Sequence, residues 1–140
     1  MKNFFLSLVT ASLMFSACNN SSQGNGTAIA GGNPENAPIM KFEKSTQDFG
    51  KIKMGDKVNY DFKFTNAGKS PLIITDATAT CGCTKPVWPK TPIKPGESGV
   101  VHVTFDSAGK NGLQDKQITI TANTFPPQNY VHLIGEVVVK

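Results

Sequence analysis

Residues 58–65, Val58-Asn59-Tyr60-Asp61-Phe62-Lys63-Phe64-Thr65, decide the fold class. Val58, Tyr60, Phe62 and Phe64 alternate without a break with Asn59, Asp61, Lys63 and Thr65. A period of two places every apolar side chain on one face of an extended chain and every polar one on the other, which no helix does. The stretch therefore reads as a strand with one face against a core. The run Asn66-Ala67-Gly68-Lys69-Ser70-Pro71 ends it in a turn.

The same period continues outward. Residues 72–75 read as a short, more fully buried strand, and Pro95-Gly96 marks a further turn. Val101, Val103 and Phe105 alternate with His102 and Thr104; after a glycine-bounded loop at residues 109–112, Ile118, Ile120 and Ala122 alternate with Thr119 and Thr121. Pro126-Pro127 interrupts the chain before a last strand over residues 130–139, whose inward set is Val131, Leu133, Val137 and Val139. A first strand near residues 42–49 and a weak one near 87–93 complete the set. No segment of useful length has helical periodicity. The expected fold is all-β: an immunoglobulin-like β-sandwich of about seven antiparallel strands over residues 41–140.

The N-terminal residues carry an address rather than a fold. Met1-Lys2-Asn3 supplies one positive charge, and residues 4–15 are uncharged and largely apolar. That run is shorter than the roughly 20 residues a membrane-spanning helix needs and fits the apolar region of a signal peptide. Ser16-Ala17-Cys18 follows, similar to the bacterial lipobox, although Phe15 stands where leucine is usual. Residues 1–17 are thus expected to be a lipoprotein signal peptide and Cys18 the lipidated residue. An ordinary secretory signal cut after Ala17 would instead leave a free thiol in an oxidising compartment. Residues 18–40, rich in Asn, Ser, Gly and Pro, are expected to form a disordered tether. Two or three acyl chains on Cys18 would hold the domain at a membrane.

The chain has 140 residues and a formal charge of +4, and every basic residue is lysine. Without arginine for bidentate phosphate and base recognition, and with the lysines scattered, nucleic-acid binding has no support. No glycine-rich loop leads from a strand into a helix, so nucleotide binding has none either. No triad or carboxylate dyad is evident, and no cofactor is called for.

Several landmarks fall in a recognisable order: Asp48-Phe49-Gly50-Lys51-Ile52 with Gly55, then Phe62-Lys63-Phe64-Thr65-Asn66-Ala67-Gly68, Pro71-Leu72-Ile73-Ile74, Cys81-Gly82-Cys83-Thr84, and Pro95-Gly96-Glu97-Ser98. The order resembles a bacterial family called domain of unknown function fifteen-seventy-three, and also the wider ASPM/Hydin-type immunoglobulin-like domains. The resemblance covers roughly residues 42–138, and the Cys-Gly-Cys-Thr element is its most specific part. It implies an immunoglobulin-like fold and an envelope location, with no activity attached. In such an envelope setting Asp106-Ser107-Ala108 is similar to an O-glycosylation acceptor motif, which would fall on Ser107.

With Cys18 lipidated, Cys81 and Cys83 remain. On an extended chain their side chains would share a face. A disulfide suits an oxidising compartment. Paired thiolates suit a soft metal such as Cu(I) or zinc. A redox-active dithiol is the third possibility, although the usual spacing has two residues between the cysteines. His102 and His132 lie on the polar phase of strands in opposite sheets and are read as surface histidines. Trp88, among Pro86, Pro89 and Pro92, is read as covering a core edge rather than as a binding surface.

The function expected on these grounds is that of a non-enzymatic envelope protein. It is membrane-anchored, most simply on the outer membrane facing the periplasm, and binds an unidentified protein partner. The alternative is a metal-binding or thiol-redox protein acting through Cys81 and Cys83.

Overall fold

The structure, a computed structural model, describes residues 34–139. Behind a 3-10 turn at Pro34–Asn36 come β1 (Met40–Phe42), β2 (Thr46–Lys53), β3 (Lys57–Asn66), β4 (Ile74–Ala79), β5 (Thr84–Val87), β6 (Ser98–Asp106), β7 (Gly112–Ala122) and β8 (Gln128–Val138). They form two four-stranded sheets, ordered β1-β3-β6-β5 and β2-β8-β7-β4. The expected signal peptide and lipidated Cys18 lie outside the described residues.

The core is made by the alternation that marked the strands. Phe62 and Phe64 of β3 and Val101, Val103 and Phe105 of β6 face Ile118 and Ile120 of β7 and Val131, Leu133 and Val137 of β8, all essentially inaccessible to solvent. Burying such a side chain stabilises the fold by about 1.5–3 kcal/mol. The opposite face of β3 and β6 carries a ladder of polar cross-strand pairs: Lys57 with Asp106, Asn59 with Thr104, Asp61 with His102, and Thr65 with Ser98.

Among the described residues there are eight strands rather than about seven, because the expected first strand is two. Phe42 and Phe49 are seven residues apart, so one straight strand would point them to opposite faces. The chain breaks between them and changes sheet, and both rings then reach the core. Phe42 meets Phe64 edge to face at 5.9 Å, and Phe49 lies 5.6 Å from Phe105. The change of sheet also corrects the expectation of purely antiparallel pairing, since β2 runs parallel to β8. A register shift between Asp48 and Lys51 interrupts β2. There Gly50 adopts φ +71°, and its N–H donates to Asp48 Oδ1 at 2.7 Å.

Three smaller expectations shift as well. Residues 72–75 alternate rather than being buried throughout: Leu72 and Ile74 are buried, Ile73 is exposed, and the strand proper runs from Ile74. The weak strand lies earlier than residues 87–93, at Thr84–Val87, and only Ile93 of the later stretch pairs, bridging to Leu72. Val139 lies beyond the end of β8 and is 59% exposed.

The end of the expected tether is part of the sandwich. Pro38 and Met40 are buried. Ala67 N–H donates to Ile39 O at 2.9 Å, and Ser70 Oγ donates to Asn36 O. The wholly buried Asn66 organises this corner. Its Oδ1 accepts from Gly68 N–H at 3.0 Å and Ile39 N–H at 3.3 Å, and its Nδ2 donates to Ser70 O and Ile93 O. Gly68 is required for closeness: a Cβ there would lie 2.5 Å from Ile39 N. Below it, Lys94-Pro95-Gly96-Glu97 forms a turn closed by Glu97 N–H to Lys94 O, with Gly96 at φ +81°. That is the glycine geometry of a type II turn.

Candidate functional site

Cys81-Gly82-Cys83-Thr84 is not extended. It is a β-turn, closed by Thr84 N–H donating to Cys81 O at 3.2 Å, that carries the chain from β4 in one sheet to β5 in the other. A second clasp is the disulfide between Cys81 and Cys83, whose Cα atoms are 5.2 Å apart. Both cysteines are half-buried, and Cys83 packs against the core. Asp106 N–H donates to Cys83 O at 2.9 Å, tying the turn to the end of β6. The hydroxyl of the buried Thr84 sits 3.7 Å from Cys81 Sγ and 3.9 Å from Cys83 Sγ.

Beside the turn a depression of about 330 Å³ opens on Gly82 and Cys83, walled by Lys57, Lys85, Thr104 and Asp106. Gly82 is exposed, and a Cβ built on it would meet nothing within 4 Å. The Ala108 N–H, foremost, holds the Asp106 carboxyl below the usual carboxylate range; slight desolvation opposes this and Lys57 assists it. Asp106 therefore stays charged and pairs with Lys57 at 3.6 Å, while Lys85 faces the same hollow. Among the described residues no three of His, Cys, Asp and Glu converge as metal ligands would.

A second feature lies at the opposite side of the same sheet. β1 pairs with β3 only from Phe64 to Asn66, with one further bond from Glu43 N–H to Lys63 O. The chain then leaves for the other sheet. On that side, residues 57–61 of β3 have no strand beside them among the described residues. The β1 pairing turns the main-chain groups of Lys63 and Thr65 toward β1. By alternation those of Asn59 and Asp61 point to the vacated edge. A notch of about 590 Å³ marks the place, lined by Glu43, Lys44, Asn59, Tyr60, Asp61 and His102.

The remaining singled-out residues are scattered. His102 and His132 lie on the outer faces of opposite sheets, against Asp61 and Asp115 respectively. Trp88 packs on the core edge with Lys90 Nζ 3.2 Å from its ring centre. Its indole N–H is buried without a partner among the described residues. Ser107 has no exposed surface. Its hydroxyl contacts Asp56 O at 2.7 Å and Lys53 O at 3.1 Å and accepts from Gly55 N–H. A glycan on that oxygen would require the β2–β3 turn to open. The open edge of β3 carried no signal in the sequence, because it depends on where β1 stops.

The stretch of sequence that contains the turn matches a family model. The model, described as a protein of unknown function (DUF1573), covers residues 40–137. The chain belongs to DUF1573. No curated protein matches the sequence. Among solved structures, this DUF1573 domain is similar to a protein of unknown function from Porphyromonas gingivalis W83. The TM-score is 0.65 at 20% identity, over 76% of this chain and 50% of that one. The chain thus spans about half the length of the Porphyromonas protein. It is also similar to the ASH/PapD-like domain 7 of human CEP192, with TM-score 0.58, 9% identity, and coverage of 85% and 97%. A third likeness is to the secreted serine protease VesC from Vibrio cholerae, with TM-score 0.55, 12% identity, and coverage of 74% and 23%. At these identities the likenesses establish that the DUF1573 domain shares a sandwich fold with proteins of unlike description.

Proposed function

We propose that this chain is a lipid-anchored envelope protein, held by Cys18, whose immunoglobulin-like sandwich binds a partner protein and performs no catalysis of its own on that partner. The change of sheet between β1 and β2, and the parallel pairing of β2 with the last strand, support classing the sandwich as immunoglobulin-like. The observation that carries the binding role is the vacated edge of β3. Asn59 and Asp61 aim main-chain donors and acceptors outward there, beside a notch large enough to take side chains. An extended segment of the partner adds to such an edge as a further strand; main-chain bonds supply affinity, and side chains in the notch supply selectivity.

The test uses a substitution that removes an outward main-chain N–H at the edge, at the cost of one exposed side-chain bond from Thr104 to Asn59. Proline is tolerated on an edge strand where its missing N–H faced solvent. Asn59→Pro should therefore leave the β6 ladder and the fold intact while abolishing partner capture. A photo-crosslinker at Asp61 should label the partner, and one at Glu136 on the other sheet should not. Equal labelling at both positions, or capture unaffected by Asn59→Pro, refutes edge binding. For the anchor, metabolic fatty-acid labelling should mark the wild type and not Cys18→Ala.

A further inference from the structure

The Cys81–Cys83 turn is not needed for partner capture at the β3 edge, and its construction exceeds that of a clamp. A disulfide spanning one residue closes a loop too short to restrict the unfolded chain, so its entropic contribution to stability is small. The fold here already closes the same turn by Thr84 N–H to Cys81 O. Buried structural disulfides resist thiols, whereas accessible ones in tight geometry exchange readily. This one is half-buried beside an open hollow, with two lysines on its rim.

We propose that the Cys81–Cys83 disulfide is a thiol–disulfide exchange site, entered through the Lys57–Lys85 hollow, that oxidises a dithiol. The attacking species is a thiolate; Lys57 and Lys85 together outweigh the Asp106 carboxylate that shares the hollow and pairs with Lys57, and the net positive charge attracts it. The hollow is lined by Cys83 and not by Cys81, so the proposed attack is on Cys83 Sγ. The new S–S bond forms there, the Cys81–Cys83 bond breaks, and the electron pair leaves on Cys81 Sγ. The Thr84 hydroxyl, 3.7 Å away, is placed to donate to that thiolate. The second thiol of the substrate loses its proton to solvent and attacks its own sulfur in the mixed disulfide, releasing Cys83 as thiolate. Both protein thiolates then take protons from water. Two electrons pass from the dithiol to the protein: the substrate becomes a disulfide and the protein a dithiol. Lys57 and Lys85 are positioning residues for the incoming anion. Thr84 is a positioning residue for the leaving one.

The full chain is treated with dithiothreitol, and the loss of its disulfide is followed together with its circular dichroism. Reduction should be proportional to dithiothreitol concentration and leave the β spectrum unchanged. Lys57→Gln with Lys85→Gln should slow it roughly twofold to fivefold at low ionic strength, with the difference vanishing at high salt, as befits exposed charges. Reduced glutathione, a monothiol, followed by acid quench and peptide mapping, should place the mixed disulfide on Cys83. Thr84→Val should slow exchange, and Thr84→Ser should restore it. Reduction independent of thiol concentration and paced by global unfolding would overturn the proposal, as would glutathione on Cys81. Failure here leaves Asn59→Pro and partner capture untouched, so the two readings fall separately.

Discussion

Asn66 shows how one buried polar residue holds a corner together. Its amide satisfies two N–H groups and two carbonyls that lie in three separate stretches of chain. Asn66→Leu would leave Gly68 N–H, Ile39 N–H and Ser70 O without this partner in a part-buried corner, while Ile93 O keeps the Leu72 N–H; each unsatisfied group costs about 1–3 kcal/mol. Urea denaturation should show a loss of at least about 3 kcal/mol. Ser107→Ala removes a smaller knot, between the end of β6 and the β2–β3 turn, and should cost about 1–2 kcal/mol. Lys116 points the other way. It lies on the inward phase of β7, 5.3 Å from the Phe105 ring; burial, and then Lys110, lower its pKa. The unfolded chain therefore holds this proton more tightly than the folded one. Stability rises with pH from the lowered folded value up to the ordinary lysine value. Lys116→Met should raise the melting temperature at neutral pH, and the gain should shrink as pH rises toward the ordinary lysine value of about 10.4. The Asn-x-Gly landmark was legible as a turn. Its role was not, because the chain that Asn66 and Gly68 receive lies 27 residues earlier.

Each strand carries its pattern openly, but the breaks and pairings do not. The alternation of β3, β6 and β7 predicts the inward phase, and Phe62, Val103 and Ile120 are buried as expected, while Val58 and Tyr60 of β3 are only half-buried. The break between β1 and β2 was hidden in a phase error, two phenylalanines an odd number of residues apart, which is visible once one asks that both be buried. Phe49 then fixes Gly135. A Cβ at position 135 would overlap the Phe49 ring. Gly135→Ala should destabilise the domain by about 1–3 kcal/mol, as overpacking does. Phe49→Leu should recover part of that loss, because the two substitutions share one space. A purely additive double-mutant cycle would show that the contact does not govern this stretch of β8. The Cys-Gly-Cys-Thr element was legible as the chemically distinct spot. That it is a turn between sheets, beside two lysines, was not, since Lys57 comes from β3 and Lys85 from β5.

At the scale of the molecule, the sequence places the start of the fold a little late. Residues 34–40 read as tether by composition, yet Pro38 and Met40 are buried and Ile39 bonds to Asn66 and Ala67 at the end of β3. A chain beginning at Lys41 should be measurably less stable than one beginning at Pro34, by about 2–4 kcal/mol from the lost burial and the orphaned Asn66 partners. Equal denaturation midpoints would show that residues 34–40 contribute nothing. The sandwich class itself was fully legible, because two-residue alternation with turn residues between admits few other architectures.

The parallel pairing of β2 with β8 also has a mechanical consequence. A pull that enters the domain at Thr46 and leaves at Val138 drags two adjacent strands along their length in opposite senses. Their hydrogen bonds are then loaded in shear, all together, and none yields until several do. An antiparallel pair pulled from one end would unzip bond by bond. A load applied between those two points would thus make the domain give way slowly, at a rate set by unfolding under force rather than by equilibrium stability.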